Sequence, residues 1–570
     1  MNWILGLIFI LIIIFLYRNY ANKKKSAKLK KWFIENWGKP KSNDYFNFYV
    51  IGKYFENNEH KNQAFHILSE KVKIDLDIDE LFKFIDRTSS KIGQQYLYFK
   101  LRTIGSLESL LKFDLLSNLF LNDETLRLKS QLSLSKINSH NSYDLEKLIA
   151  DKPIEKPSYL KFIYASSLTS VLLIILTFFN PVFSLFLLPI FFINTIFHYK
   201  NKENVTYYTN AVYQLSRALK VSKELSSFDE IKQHFSDLSF IKKVSTIQTK
   251  TEFIGFEKQL TNEYALFFWF IIELIKIQFM VEYILFFSFI DSITKEKDNI
   301  EKMFCFIGEI DSAISTASLK AGKNKICTPN FTKEKQLTST EIYHPLIENC
   351  ITNNINLIDN SLLLTGSNMS GKTTFIRTIA INSILAQTLN ICYAKEYTAP
   401  FLKVYSSIRI TDDLLDNTSY YLEEVLTVKE LVAAAKNDEN CLFVLDEIFK
   451  GTNTIERISG GKAILSYLNK KNHLVLVSTH DIELTDLLVK ENYELFHFSE
   501  QIESEKLFFD HKLKSGKLKT RNAIKILELY KYPSEIIIDA RKTEENNFSQ
   551  NLNRSSIFQI NAIFDSNNYF

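Results

Sequence analysis

Residues 361–385, "SLLLTGSNMSGKTTFIRTIAINSIL", place a short apolar strand, a glycine-bearing loop and a helix-forming stretch in immediate succession. No other stretch narrows the choice of fold as far. Gly366, Ser367, Asn368, Met369, Ser370, Gly371, Lys372 and Thr373 fit the spacing GxxxxGK[ST] at every fixed position, and Thr374 continues into the helix. Gly366 and Gly371 permit backbone angles closed to other residues, so successive N–H groups can turn inward on phosphate oxygens. The positive end of the following helix favours the same anion. In such a loop Lys372 is predicted to reach the β and γ phosphates of ATP, and the Thr373 hydroxyl to hold Mg2+.

Two further strand ends fit the same site. "CLFVLDEIFKGTNT" (441–454) is an apolar strand ending in Asp446 and Glu447, and "HLVLVSTHD" (473–481) ends in Thr479 and His480. Residues at the carboxyl ends of parallel strands face the ligand crevice of an open α/β sheet. Asp446 is predicted to support Mg2+ and Glu447 to orient or deprotonate an attacking water. His480, by the company it keeps, is predicted to bond the γ phosphate or that water. From about residue 337 onward, short apolar runs alternate with helical segments, and the predicted fold of residues 335–548 is an α/β P-loop NTPase domain.

At 570 residues the chain exceeds one hydrophobic core. Its composition, 46% hydrophobic and 24% charged, is that of a folded protein, with an aromatic excess (47 Phe, 27 Tyr) that apolar membrane segments partly explain. The formal charge of +4 owes six lysines to "KKKSAKLKK" (23–31); without them the balance is −2, so bulk charge argues for no global basic face. The five cysteines lie far apart with no CxxC or Cys/His pairing, and read as reduced core thiols of a cytosolic compartment.

Residues 3–17 are uncharged and almost wholly apolar, a helix of about 23 Å against a ~30 Å hydrocarbon core. Lysines follow the run, so residues 1–20 are expected to be an uncleaved anchor with the cationic side in the cytoplasm. A second apolar region, 159–199, is split at Asn180-Pro181 and flanked by lysines on both sides; it is either two short crossings or a re-entrant hairpin. The third, 264–290, holds Glu273, Lys276 and Glu282 and is expected to be a buried or partner-facing soluble helix. Residues 21–158 and 200–334 are expected to be helical and cytosolic, and 549–570 a tail. The bacterial inner membrane is the expected location, with the nucleotide site in the cytoplasm.

These residues resemble the DNA mismatch-repair MutS family, whose ATPase domain carries TGPNMGGKST where this chain has "TGSNMSGKTT". "YHPLI" (343–347) is similar to the family's HP element, "TDDLLDNTSYYLEE" (411–424) to its SDDL…STF…E segment, "DEIFKGTNT" to DEIGRGTST and "STHDIEL" to ATHYFEL. The segment 509–540 resembles the part ending in the family's helix-turn-helix. Upstream, "LFKFIDRTSSKIGQQYLYFKLRT" is similar to the start of the helical core domain, with Asp86, Thr88, Gly93 and Leu101 at fitting positions. The resemblance implies an ABC/MutS-type ATPase preceded by an all-α core and lever region. It also implies a homodimer with two composite sites, in which Ser419 of one subunit approaches the γ phosphate held by the other, and a clamp on duplex DNA, mispaired or damaged.

Departures accompany the likeness. The N-terminal mismatch-recognition domain with its wedge phenylalanine has no counterpart; Phe449 and Lys450 replace the family's Gly-Arg; a cysteine or isoleucine near Cys350 stands where an adenine-stacking aromatic is common. The function so implied is a membrane-anchored, ATP-hydrolysing, ATP-gated dimeric clamp in a repair-related role. The alternative is a tethered scaffold driving the same closure on a protein partner without nucleic acid.

Overall fold

The computed structural model describes residues 2–41, 45–150, 156–256, 266–367, 370–409, 420–503, 506–518 and 523–543. The chain divides into two compact units: residues 1–329 with 381–393, and residues 330–380 with 394–570.

The first unit is helical. Its helices used below are α1 (Asn2–Glu35), α2 (Lys91–Arg102), α3 (Leu160–Thr177), α4 (Leu187–Leu225), α5 (Leu266–Phe279), α6 (Val281–Lys295) and α7 (Lys297–Lys320). Helix α4 runs through position 200, where the sequence suggested a domain boundary, because residues 190–225 contain neither proline nor glycine to stop it. Ser90 caps α2 by accepting from Gly93 N. The α2–α7 crossing is close enough that a Cβ on Gly93 would lie 2.1 Å from Asp311 Oδ2, and one on Gly308 would lie 2.3 Å from the Tyr96 Cβ. Asp311, fully buried on α7, accepts from Ser89 N, Ser90 N and Ser90 Oγ at 2.6–2.8 Å. Burial nevertheless pushes its carboxyl up to about 6.

Helices α3 and α4 are the arms of the apolar hairpin. Asn180 accepts from Val182 N and Pro181 opens the following 3-10 turn, so the split read at Asn180-Pro181 is a turn between two helices. The segments Leu160–Thr177 and Pro181–Lys200 are long and apolar enough to cross a membrane, and 17% and 11% of them is buried within the protein. The third apolar stretch forms two helices rather than one, with left-handed Met280 between α5 and α6. Its charges are accommodated locally: Glu273 lies 3.1 Å from Lys276 Nζ and 3.5 Å from His198 Nε2 of α4. Met280, Tyr283, Phe286, Phe287 and Ile290 pack with Ile163 at the base of the hairpin. Those contacts make it a partly buried segment of the helical unit.

The second unit contains β1 (Asn330–Thr332), β2 (Gln336–Ile342), β3 (Asn353–Ile358), β4 (Ser361–Thr365), β5 (Glu396–Pro400), β6 (Lys403–Ser407), β7 (Cys441–Asp446), β8 (Leu474–Thr479), β9 (Tyr493–His497), β10 (Glu500–Glu503), β11 (Lys506–Phe509) and β12 (Lys514–Ser515). Five strands form a parallel sheet in the order β9-β4-β8-β7-β6, with β12 antiparallel on the β9 edge. Strands β4 and β8 are buried at every position, as continuous apolar runs covered on both faces must be. Each such Leu or Val contributes about 1.5–3 kcal/mol by leaving water. Helix α8 (Lys372–Leu389) follows the loop after β4, and α9 (Tyr420–Ala434) and α10 (Thr454–Leu468), the last capped by Asn453, pack on the sheet. A smaller sheet, β1-β5-β2-β3, stands beside it.

Replacing Gly93 by Ala is expected to lower stability by about 1–3 kcal/mol, since overpacking a buried side chain outweighs the ~1 kcal/mol helix preference for alanine. A urea midpoint unchanged or raised in Gly93→Ala would contradict the α2–α7 packing.

Candidate nucleotide site

The register of three strands assembles the site. Thr365 of β4 pairs with Thr479 of β8, and Ser478 pairs with Asp446 of β7. The three carboxyl ends are therefore level to within one residue, and the residues that follow them emerge on one edge: Gly366, His480 and Glu447. Strand β8 lies between the loop strand and the acidic strand, so the phosphate loop and the carboxylates face each other across one intervening strand, two strand spacings or about 10 Å.

The loop between β4 and α8 needs both its glycines. Gly366 has φ +146° and Gly371 φ +105°, and a Cβ on Gly366 would come within 2.8 Å of the Phe498 carbonyl oxygen. Ser370 closes the turn with its Oγ on Ser367 O at 2.7 Å. Lys372, 3% exposed, donates Nζ to Gly366 O at 2.8 Å and Ser367 O at 3.0 Å, and lies 3.2 Å from His480 Nε2. Burial lowers its pKa to about 8, against the opposing pull of Asp446 and Glu447.

Thr373 Oγ1 donates to Asp446 Oδ2 at 2.7 Å, and Ser478 Oγ to Asp446 Oδ1. Among the described residues no three His, Cys, Asp or Glu side chains could cage a metal ion. One carboxylate with a hydroxyl is nevertheless the donor set that suits Mg2+, which keeps waters and shares phosphate oxygens. Glu447 sits at φ +58°, a conformation few non-glycine residues adopt, and its N–H donates to Ser478 O at 2.8 Å. Its carboxylate lies 3.3 Å from His480 Nε2 and 3.2 Å from Lys450 Nζ. His480 is held below its ordinary pKa by burial and by the Lys372 cation. Arg457 grips Asp481 through two bonds of 2.8 and 2.6 Å, steadying the turn that carries His480.

Two contributors escaped the sequence reading. Glu424 of α9 is fully buried and accepts from Phe449 N and, at 3.2 Å, Lys450 N. Phe449 itself is at φ +61°, so Glu424 braces the strained loop after the acidic strand. It lies inside the quoted 411–424 segment, but its partner loop is 25 residues away. His511 donates its Nδ1–H to Ser370 O at 3.0 Å and stacks on Phe509 at 6.0 Å between centroids. It walls a cavity of about 310 Å³ beside Gly371 and Thr374, with Tyr343, Ile347, Cys350 and Phe375 among its other walls. The cavity adjoins the phosphate loop at Ser370 and Gly371, and Cys350 lines it together with the His511 imidazole.

Lys372, Thr373, Asp446, Glu447 and His480 are thus brought together, with Gly366, Ser367, Ser370, Gly371 and Thr374 around them. Asn368, Met369 and Ser419 lie outside the described residues.

Residues 362–547 match the family model described as MutS domain V. The DNA mismatch repair protein MutS of Listeria welshimeri is 31% identical over 265 residues, 45% of this chain and 30% of that protein. That of Listeria monocytogenes serotype 4a is 33% identical over 260 residues, and that of Staphylococcus aureus strain JH9 30% over 262, each across 44% of this chain and 30% of the relative. The matched region therefore spans less than a third of the curated relatives' length.

Phosphate binding to a lysine of pKa about 8 is strongest below that value, where the amine is a cation, and is lost above it. ATP affinity measured calorimetrically is expected to fall by up to about tenfold per unit above pH 8. Lys372→Ala is expected to bind weakly at every pH. Equal affinity at about pH 7.5 and 9.5 in the wild type would contradict this role for Lys372.

Proposed function

From a C-terminal domain that belongs to the MutS family, we propose that this chain binds and hydrolyses ATP as the switch of a dimeric clamp on duplex DNA, tethered to a membrane. The observation that carries the reading is the level sheet edge on which Lys372, the Thr373–Asp446 pair and the Glu447–His480 pair meet. Lys372 and the loop N–H groups hold the triphosphate, and the His511 cavity holds its base. Thr373 and Asp446 would hold Mg2+, which when bound neutralises charge on the β and γ phosphates. Glu447 orients the attacking water and takes its proton, and its strained backbone, fixed to Ser478, limits the directions its carboxylate can take. His480 Nε2, on a ring whose pKa burial and the Lys372 cation lower, lies within reach of both that carboxylate and the Lys372 amine; it donates to the first or accepts from the second, so its choice of partner follows the state of the γ phosphate.

Dimerisation with Ser419 completing the partner's site, DNA as the load, and repair as the process come to this chain from its family. Binding of the load and of nucleotide are linked, so each must favour the same closed state. The membrane reading has support of another kind. Phe178 and Phe179 at the hairpin tip are 87% and 82% exposed, and the two arms bury under a fifth of their apolar windows. Exposed apolar surface on that scale suits lipid better than water. The inner membrane of a bacterium, with the nucleotide site cytoplasmic, is the location proposed.

Glu447→Gln is expected to retain ATP while turnover falls by about 10²–10⁴-fold; steady-state hydrolysis at the wild-type rate would exclude Glu447 as the base. Duplex DNA, homoduplex or mispaired, is expected to bind the full chain with affinity falling steeply as salt rises. No binding at low salt in any nucleotide state would exclude DNA as the load and leave the scaffold reading.

A further inference from the structure

A second cavity, of about 660 Å³, lies wholly in the helical unit, between the carboxyl end of α1 and the segment leading into α2. Its described lining carries Lys25, Lys28, Lys39, Lys41, Arg87 and Lys91, and no carboxylate. Two acids lie beneath the wall and are both engaged: Asp86 with Lys41, Thr88 and Gln94, and Asp311 with Ser89 and Ser90. Arg87, 9% exposed, spends Nε on Lys39 O at 3.0 Å and Nη1 on Phe84 O at 3.2 Å, both neutral acceptors. Burial lowers the Arg87 pKa and the neighbouring Asp86 offsets this only in part, so the desolvated cation favours an anion joining it.

The polar groups of the wall point the same way. Ser89 and Gln131 are among the residues lining the cavity, each is 5% exposed, and Ser89 Oγ and Gln131 Oε1 have no hydrogen-bond partner. A buried hydroxyl left unbonded is rare in folded proteins and marks a place where a ligand or water is expected. The wall is also fixed in position: Gly38 N donates to Ser318 Oγ at 3.1 Å, and the Arg127 guanidinium sits 3.8 Å from the Trp37 ring centroid. Half-exposed Trp32 forms an apolar flank beside the cations.

We propose that this cavity binds a phosphate-bearing anion, with Arg87, Lys28 and Lys39 supplying charge and Ser89 Oγ a hydrogen bond. Two sources share that chemistry, a phospholipid headgroup and a soluble phosphate ester. Lys25 follows Tyr17 by eight residues, about 12 Å of helix, which brings the cavity near the headgroup layer if α1 is the anchor proposed above. The anionic site itself does not depend on that anchor.

The test uses the full chain carrying Lys372→Ala, to silence the phosphate loop, in phosphatidylcholine nanodiscs. In one arm glycerol 3-phosphate is titrated calorimetrically. In the other, phosphatidate is included in the bilayer and hydrogen exchange is followed at residues 25–41 and 87–91. Binding in the first arm identifies a soluble ligand, and protection in the second a lipid. In either case Lys28→Gln/Lys39→Gln, whose side chains are exposed, and separately Ser89→Ala, are expected to weaken the effect about tenfold each, the size of one charge-assisted hydrogen bond. No response in either arm, or a response the variants leave unchanged, overturns the site. ATP hydrolysis by the chain with an intact phosphate loop is read independently, so failure here does not bear on the nucleotide site.

Discussion

The parallel pairing of β4, β8 and β7 is the constraint on which the nucleotide site depends. Because Thr365 is level with Thr479 and, one strand on, Asp446 with Ser478, three segments separated by up to 114 residues release their polar side chains into one crevice. The strands hold that level through burial: a slip of one residue would turn Leu363, Val477 and Leu445 to the wrong face of a sheet covered on both sides. Stability and chemistry are therefore set by the same register. The Thr373–Asp446 hydrogen bond then ties the loop helix to the acidic strand across β8.

Around this rigid edge the chain stores local strain. Glu447 and Phe449 both occupy the left-handed region although neither is glycine, and the cost, of order 1–3 kcal/mol each, is met by specific partners. Ser478 O takes the Glu447 N–H, and buried Glu424 takes those of Phe449 and Lys450. The family's glycine at the position of Phe449 would enter this conformation freely; here the ring instead packs near Tyr421, 6.0 Å away, and against Gly460. The departure at Phe449 thus alters how the loop is held while leaving the carboxylate edge in place. The helical unit shows the same economy of small residues, with Gly93 and Gly308 admitting Asp311 and Tyr96 at the α2–α7 crossing.

The residues readable from sequence were those whose meaning is local. A strand, a glycine loop and a helix within 25 residues announce a phosphate site, and an apolar run ending in Asp-Glu announces a strand edge. Glu424 and His511 were not readable in that way, because each acts through a backbone group far along the chain: Glu424 on Phe449 N, and His511 on Ser370 O, 141 residues before it. Fold-level surprises have similar causes. The charges at Glu273 and Lys276 mark a helix paired with His198 of α4, a contact no periodicity reveals. Helix continuity through position 200 was written in the absence of glycine and proline, but the change from apolar to polar composition there suggested a boundary the backbone does not observe.

If Thr373 and Asp446 together hold Mg2+, then equilibrium ATP binding to the full chain must be tightened by the metal through that pair. With magnesium and with chelator, wild type should differ by an order of magnitude or more, while Asp446→Asn should bind ATP in both conditions with the weaker, metal-independent affinity. An Asp446→Asn chain that retains the full magnesium increment, or a wild-type chain that ignores ATP with the metal present, would contradict the site as described.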